Sequence, residues 1–336
     1  MIKMVKFFNL DRHWDSVRDR VQTLADDSLS LGLCQKSPVI QRVESRIATI
    51  ANRLRAVTFS NCSDALVQGL RNLQLPSGSE VLVPEYTFIS SINAIRLAGL
   101  NPVLVDVDEF YHIDLLDAAS KISNNTRVLL YVTLLGSPAR SDINEWCNKY
   151  NLLLVEDAAQ SFGTDLANSA FSVLSFSPSK PCPTFGSGGA LVTDDVPTSW
   201  IAKQTRLHGN QDYIGINSMM STTEASALQI NLGLLDEHLA RRREIANHYF
   251  RELTDKYQFP KYRKGCTYSK FIIQSTSRDD LKLHLDKNNI QTMIHYNKEF
   301  TQPNCKKLSK ISLTLPNCSY MTDQEVERVI KCLKEF

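Results

Sequence analysis

The chain repeatedly places a short, continuously apolar run ahead of a segment of helix length, and this pattern narrows the fold more than any other feature. Glu80-Val-Leu-Val83 precedes a helical pattern over residues 90–97, Val103-Leu-Val-Asp106 precedes one over 114–121, and the run 127–132 precedes one over 142–150. Residues 152–156, then Phe171-Ser-Val-Leu-Ser175 and a return run Ala190-Leu-Val-Thr193, continue the series. A strand apolar on both faces must be covered on both faces, and helix-length connections favour parallel pairing. The expected class is α/β, a mostly parallel sheet between helices. Upstream, Val39, Val43, Ile47, Ile50 and Leu54 form a helical stripe leading to a short strand, Ala56-Val-Thr-Phe-Ser60.

Residues 1–38 read as an arm, with Trp14 and Val17 placed to pack on another part of the fold. From Thr222 the stripe Leu228, Leu232, Leu235, Leu239 predicts one long helix reaching Tyr249. Helices of that length commonly bridge domains, which divides the chain into a large domain over 39–235 and a small α+β domain over 236–336. The small domain is expected to hold strands at 271–274 and 292–296, a helix at 279–287, and a closing helix at 323–333. Thr322-Asp-Gln-Glu325 reads as the capping box of that last helix.

A length of 336 residues suits one large and one smaller domain. The net charge of +2 sets up no field that would draw the chain to nucleic acid or a membrane surface. Eight cysteines without a CxxC pair argue for reduced thiols rather than a disulfide framework or a zinc site. The start, Met1-Ile-Lys-Met-Val-Lys-Phe-Phe, has no long apolar stretch. A cytoplasmic protein without a metal centre is expected. GxGxxG, P-loop, HExxH and GxSxG motifs are all missing, and Gly186-Ser-Gly-Gly189 leads into a strand rather than a helix.

Three places carry candidate chemistry. Lys180 closes Ser175-Phe-Ser-Pro-Ser-Lys180, between the strand that ends in Asp157 and a glycine-rich return strand. A lysine in such a turn can form a Schiff base with a carbonyl cofactor whose ring nitrogen the acid keeps protonated. A solvated surface lysine is the usual alternative, but Phe176 and the glycine strand imply a buried turn. Asp157 could instead cap the next helix. Asn61-Cys-Ser-Asp64 opens a helix after a strand, where free N–H groups and the Ser63 hydroxyl suit a phosphate; Ser63 or Asp64 acting only as N-cap is the other reading. Tyr86 and Phe88 follow a strand, at the carboxyl edge where open α/β sheets bind ligands, and either aromatic could equally be core.

Taken in order, these segments resemble the DegT/DnrJ/EryC1/StrS family of pyridoxal-phosphate sugar aminotransferases of fold type I. Further motifs that carry the resemblance are Val83-Pro-Glu-Tyr-Thr-Phe88, Pro102-Val-Leu-Val-Asp-Val-Asp108, Leu135-Gly-Ser-Pro-Ala139, Glu156-Asp-Ala-Ala-Gln-Ser-Phe-Gly163 and Arg241-Arg-Arg-Glu-Ile-Ala246. The resemblance implies that Lys180 bonds pyridoxal 5'-phosphate and moves the substrate proton. It implies that Asp157 pairs with the ring nitrogen, Gln160 sits by the ring hydroxyl and Phe88 stacks on the ring. Ser63, the amides of Ser63 and Asp64, and Ser175 would hold the phosphate, and Asn217 would reach it from the partner subunit of a homodimer. Tyr86, His208 and Tyr296 are expected on the substrate side, although His208 could equally be a loop residue without a role. Four departures stand out: Pro181 in place of the usual asparagine, Met219 in place of arginine, Ser187 in place of an acid, and a short C-terminal domain.

The implied activity is transfer of an amino group from glutamate, through the pyridoxamine form, to a keto-sugar, with a nucleotide-linked substrate in deoxyamino-sugar biosynthesis for a surface polysaccharide or similar glycan. Two rivals stand beside it. One is an aminotransferase for a cyclitol or an amino acid, for whose carboxylate Arg263, Arg278 and Arg328 are the candidate clamps. The other is a cofactor-binding sensor that no longer turns over.

Overall fold

A computed structural model describes residues 3–30 and 37–336. Helices α1 (Leu10–Ser30) and α2 (Pro38–Ile50) precede strand β1 (Arg55–Phe59) and helix α3 (Cys62–Asn72). Then come β2 (Glu80–Pro84), α4 (Ile89–Leu97), β3 (Asn101–Val105), α5 (Leu115–Ser120), β4 (Thr126–Val132), α6 (Ile143–Lys149) and β5 (Leu153–Asp157). Strands β6 (Phe171–Ser175) and β7 (Gly189–Thr193) follow, then α7 (Val196–Thr205) and the pair β8 (Leu207–Gly209) and β9 (Ile214–Asn217). Helices α8 (Thr222–Gly233) and α9 (Leu235–Leu253) lead to β10 (Phe271–Gln274), α10 (Arg278–Lys287), α11 (Pro303–Ile311), β11 (Ser312–Leu315) and α12 (Asp323–Glu335).

The seven-stranded sheet has the order β1-β7-β6-β5-β4-β2-β3. β3, β2, β4, β5 and β6 run parallel, and β7 is antiparallel to both its neighbours. Alternate residues of each strand point to opposite faces. Val128, Leu130, Val155 and Val173 therefore pack with α3, α4 and α7 on one face. Leu129, Tyr131 and Leu154 meet α5 and α6 on the other, where Leu174 and Val192 meet α2 and α8. Two-sided burial is why these strands read as continuous apolar runs.

The predicted long helix breaks at Leu234, between α8 and α9. Asn231, one turn before the break, is fully buried and donates to the Pro183 carbonyl (2.7 Å) while its Oδ1 meets His13 Nε2 (2.8 Å). The anchored α8 packs with the large sheet's core, whereas α9 is shared: Leu235 and Leu239 join that core, and Ile245, Tyr249 and Leu253 join the cluster around β10, β11 and α12. The expected strand at 292–296 is reduced to one bridge, Met293 to Thr314; β10 takes β11 as its antiparallel partner instead. The capping box of α12 forms as expected, with Thr322 accepting from the Glu325 amide (3.2 Å) and Glu325 from the Thr322 amide (3.0 Å).

Within the expected arm, Leu10–Ser30 is a helix whose Val17 and Val21 pack on Ala227 of α8. Trp14 stays partly exposed, edge-on to Phe185 at 4.7 Å. The stretch ahead of α1 reaches the C-terminal part, where Val5 bridges Ile290 and the Phe7 amide donates to Gln291 Oε1 (3.0 Å). Residues 31–36, including Cys34, lie outside the described residues; the other seven cysteines are free. No helix among the described residues is long and apolar enough to cross a membrane, and no cluster of three or more metal-ligating side chains occurs among them.

Candidate active site

A cavity of about 360 Å³ opens where the carboxyl ends of β1, β2, β4, β5 and β6 converge, within the size range of small-molecule sites (~300–1,000 Å³). Its wall includes Ser63, Phe88, Asp157, Gln160, Ser175, Lys180, Lys270, His295 and Tyr296. Five strand ends and two helix N-termini meet here because the parallel strands all point the same way.

At one end is the start of α3. Its N-cap is Asn61, whose Oδ1 accepts from the Asp64 amide at 2.8 Å, so neither Ser63 nor Asp64 caps the helix. Ser63 lines the cavity, with its hydroxyl hydrogen-bonded to that of Ser90. Asp64 does not line it, which corrects the expected phosphate contact. Its amide is spent on Asn61, and its carboxylate accepts from Ser218 Oγ (2.7 Å) and Asn61 Nδ2 (2.9 Å), stapling the end of β9 to α3. Ser175, Ser177 and Ser179 bring further hydroxyls from β6 and its turn, so this end offers several donors and the helix N-terminus to an anion. Gly189 explains the glycine-rich return strand: a Cβ there would overlap the Cys62 amide nitrogen, so only glycine lets β7 run under the helix start.

At the other end is Asp157. Ser91 Oγ donates to it at 2.7 Å and the Ala159 amide at 3.1 Å. Burial raises its pKa, with Ser91, Ala159 and the charge of Lys180 pulling the other way. Burial also holds the Lys180 amine below the ordinary lysine range, against the smaller pull of Cys62 and Asp157. A lysine that gives up its proton more readily than usual is better suited to act as a nucleophile or base. The seat of Lys180 is built by the Thr184 hydroxyl and amide, which both donate to the Phe176 carbonyl (2.9 and 2.6 Å).

Gln160 is fixed by accepting from the Leu135 amide (2.9 Å) and donating to the Tyr296 hydroxyl (3.2 Å). Phe88 keeps 59% of its surface exposed at the cavity wall, so it is not core. Tyr86 is a correction: it is fully buried, stacked on Phe300 at 5.1 Å, and its hydroxyl donates to the His295 carbonyl. Beside it, Glu85 accepts from the Thr301 (2.8 Å) and Gln302 (2.7 Å) amides. The Glu85-Tyr86 pair thus anchors the loop carrying His295 and Tyr296 to the site instead of meeting substrate.

Asn217 and His208 lie on the exposed β8–β9 pair and do not line this chain's own cavity. Arg263 lies over the Phe110 ring at 4.1 Å, Arg278 donates to the Ser309 carbonyl (2.9 Å), and Arg328 donates to the Lys3 and Asn288 carbonyls; none lines the cavity either. Sequence reasoning missed Asn61, Ser91, Lys270 and His295. Of these, Lys270 left a signal, a cation leading directly into the apolar strand Phe271-Ile-Ile.

Residues 16–334 match the model of the DegT/DnrJ/EryC1/StrS aminotransferase family. The chain is 28% identical over 311 residues to UDP-2-acetamido-2-deoxy-3-oxo-D-glucuronate aminotransferase of Pseudomonas aeruginosa, covering 87% of this chain and 86% of that one. It is 29% identical over 366 residues to dTDP-3-amino-3,4,6-trideoxy-alpha-D-glucose transaminase of Streptomyces venezuelae, covering 99% and 96%. The crystal structure of S. venezuelae DesV in complex with a ketimine intermediate superposes with a TM-score of 0.95 at 28% identity, covering 99% of this chain and 98% of that one.

Proposed function

The chain belongs to the DegT/DnrJ/EryC1/StrS aminotransferase family, with the fold type I architecture and pyridoxal phosphate as cofactor, and from that premise we propose that it moves an amino group from glutamate to a nucleotide-linked keto-sugar. The observation that carries this reading is the placement of Lys180 and Asp157 in one cavity with a hydroxyl-rich helix N-terminus. That donor set fits the cofactor: a primary amine for an aldehyde, a buried carboxylate for a ring N–H, and hydroxyls for a phosphate. When bound, pyridoxal phosphate supplies a carbonyl to which amines add and a ring that takes up the electrons of a breaking C–H bond.

In this reading, Asp157 stays ionised against the ring nitrogen, and Ser91 and the Ala159 amide keep its carboxylate aimed. Ser63, Ser175 and Ser177 hold the phosphate, and Phe88 covers one ring face. Gln160 takes the ring hydroxyl end, held there by Leu135 and Tyr296. Lys180, once its amine is released by the donor, would take the proton from the donor's reacting carbon on Nζ and pass it to the cofactor carbon that bears the nitrogen; in the second half-reaction it would carry a proton the other way, from that carbon to the sugar's carbonyl carbon. Asn217 completes the phosphate site of the partner in a homodimer, and the large and small domains divide near residue 235. The relatives' UDP- and dTDP-linked sugars support a nucleotide handle, and synthesis of a glycan component in the cytoplasm is the setting this substrate implies.

Borohydride reduction of the holoprotein should tag Lys180, and L-glutamate should convert the visible absorbance of the bound cofactor to that of the pyridoxamine form. Product should then form from a panel of UDP-, dTDP- and GDP-linked keto-sugars. A protein that binds pyridoxal phosphate at Lys180 yet converts with no amino donor would be a sensor and would sink the transamination reading.

A further inference from the structure

Lys270 precedes β10 and lines the same cavity as Lys180. It is 6% exposed, and among the described residues its ammonium has no acidic partner. Its ammonium lies over the rings of Phe8 (5.0 Å) and Phe7 (5.5 Å), on the stretch ahead of α1. A buried cation without a counter-charge is costly unless something pairs with it. Burial holds its pKa well below the usual lysine range, and Lys180 and Arg242 add to that.

The other cations do not meet the need. No arginine lines the cavity among the described residues, Arg242 is spent on the Asn317 carbonyl (2.5 Å), and Lys298 on the Glu85 carbonyl (3.0 Å). His295, at the same wall, is held neutral, its pKa pushed down to about 3 by burial and then by Lys270 and Lys180. Lys180 is committed to the cofactor. The donor half-reaction of the proposed function always presents carboxylates, those of glutamate, and the acceptor half-reaction would present one where the keto-sugar is a uronate.

We propose that Lys270 is the carboxylate-binding residue of this active site, pairing with a carboxylate of the molecule that reacts at Lys180. The inference rests on the transamination reading and names what that site recognises. A carboxylate beside the amine favours its charged form, and shielding from water by Phe7 and Phe8 strengthens the pair. Two molecules could bring it, the amino donor or a keto-sugar oxidised at its terminal carbon.

The test compares wild type with Lys270→Met, Lys270→Gln and Lys270→Arg as holoproteins, after thermal unfolding and cofactor absorbance have shown that each variant folds. Glutamate is titrated against the pyridoxal form. A keto-sugar nucleotide bearing a carboxylate, and its hydroxymethyl counterpart, are titrated against the pyridoxamine form. Succinate binding is measured by calorimetry, independent of turnover. Loss of the charged hydrogen bond should weaken the carboxylate ligand by about 10- to 100-fold in the Met and Gln variants, with Arg retaining most of the affinity. A loss confined to glutamate identifies the donor as the source, and a loss confined to the carboxylate sugar identifies the acceptor. Wild-type half-saturations kept within about twofold for every ligand in the Met and Gln variants, at tenfold-resolving precision, would overturn the proposal. If the wild type converts with no donor, the function falls, and succinate still decides: binding that depends on Lys270 supports the carboxylate site, and binding that is missing or indifferent to Lys270 refutes it.

Discussion

Glu156 and Asp157 are adjacent carboxylates at the end of one buried strand, and the pleat sends them to opposite faces. Asp157 enters the cavity. Glu156 points away from it and is fully buried, with Ser172 Oγ (2.8 Å) and the Ala167 amide (3.0 Å) on Oε2 and no partner on Oε1. Burial raises its pKa to about 7 from 4.5, with Ser172, Ala167 and Arg53 opposing. Between those two values the folded protein holds a proton that the unfolded chain has released. Stability from this site is therefore full below about pH 4.5 and is lost as pH rises toward 7. At about 1.4 kcal/mol per pH unit, the loss across the window is roughly 3 kcal/mol. Glu156→Gln keeps the shape, accepts the same two hydrogen bonds and does not titrate. Urea unfolding followed by tryptophan fluorescence should show wild type losing about 3 kcal/mol relative to the variant between pH 4.5 and pH 8, with no further divergence above. Curves that run parallel, with a constant offset over the whole range, would refute the reasoning.

Four further outcomes follow from the geometry. Gly189→Ala should push the start of α3 off β7, costing about 1–3 kcal/mol as overpacking and weakening pyridoxal phosphate affinity in a cofactor titration. Arg206→Met should cost about 3–5 kcal/mol in urea unfolding, because it strands Glu44, which pairs with Arg206 at 2.5 Å in a buried site shared with Thr58. Tyr86→Phe should lower stability by about 1 kcal/mol through the lost hydrogen bond to the His295 carbonyl, without a Tyr86-specific change in a binding contact to the sugar. Lys180→Ala should abolish borohydride tagging at that position and reduce transamination by at least about 10²–10⁴-fold, the contribution of a positioned proton-transfer group.

The regular elements were legible in the sequence where one local cause dominated. Helices α4, α5, α6, α10 and α12 lie within a residue or two of their expected limits, because residue pattern fixes them locally, with side-chain caps at Asp114 and Thr322 setting the starts of α5 and α12. The break after Gly233 was not legible, since the Leu228–Leu239 stripe continues through it and the anchor on Asn231 comes from Pro183 and His13, residues distant in the chain. The strand expected at 292–296 failed for a related reason. Tyr296 serves the cavity wall and the aromatic cluster around Tyr86, Ile294 packs on the core around β10 and α12, Met293 is exposed, and β11 takes the pairing edge of β10.

Residue type and order, taken alone, determined the parallel sheet and marked Lys180 and Asp157 as candidates for one site, because an apolar strand ending in an acid can satisfy that acid only with a ligand, a cap or a close donor. What the tertiary structure decided is which neighbours reach the cavity. It turned Asp64 into a staple and Tyr86 into scaffold, and it brought Lys270 from the C-terminal part beside Lys180. Contacts made across ninety residues of intervening chain depend on how the two parts pack, and local sequence carries no record of that packing.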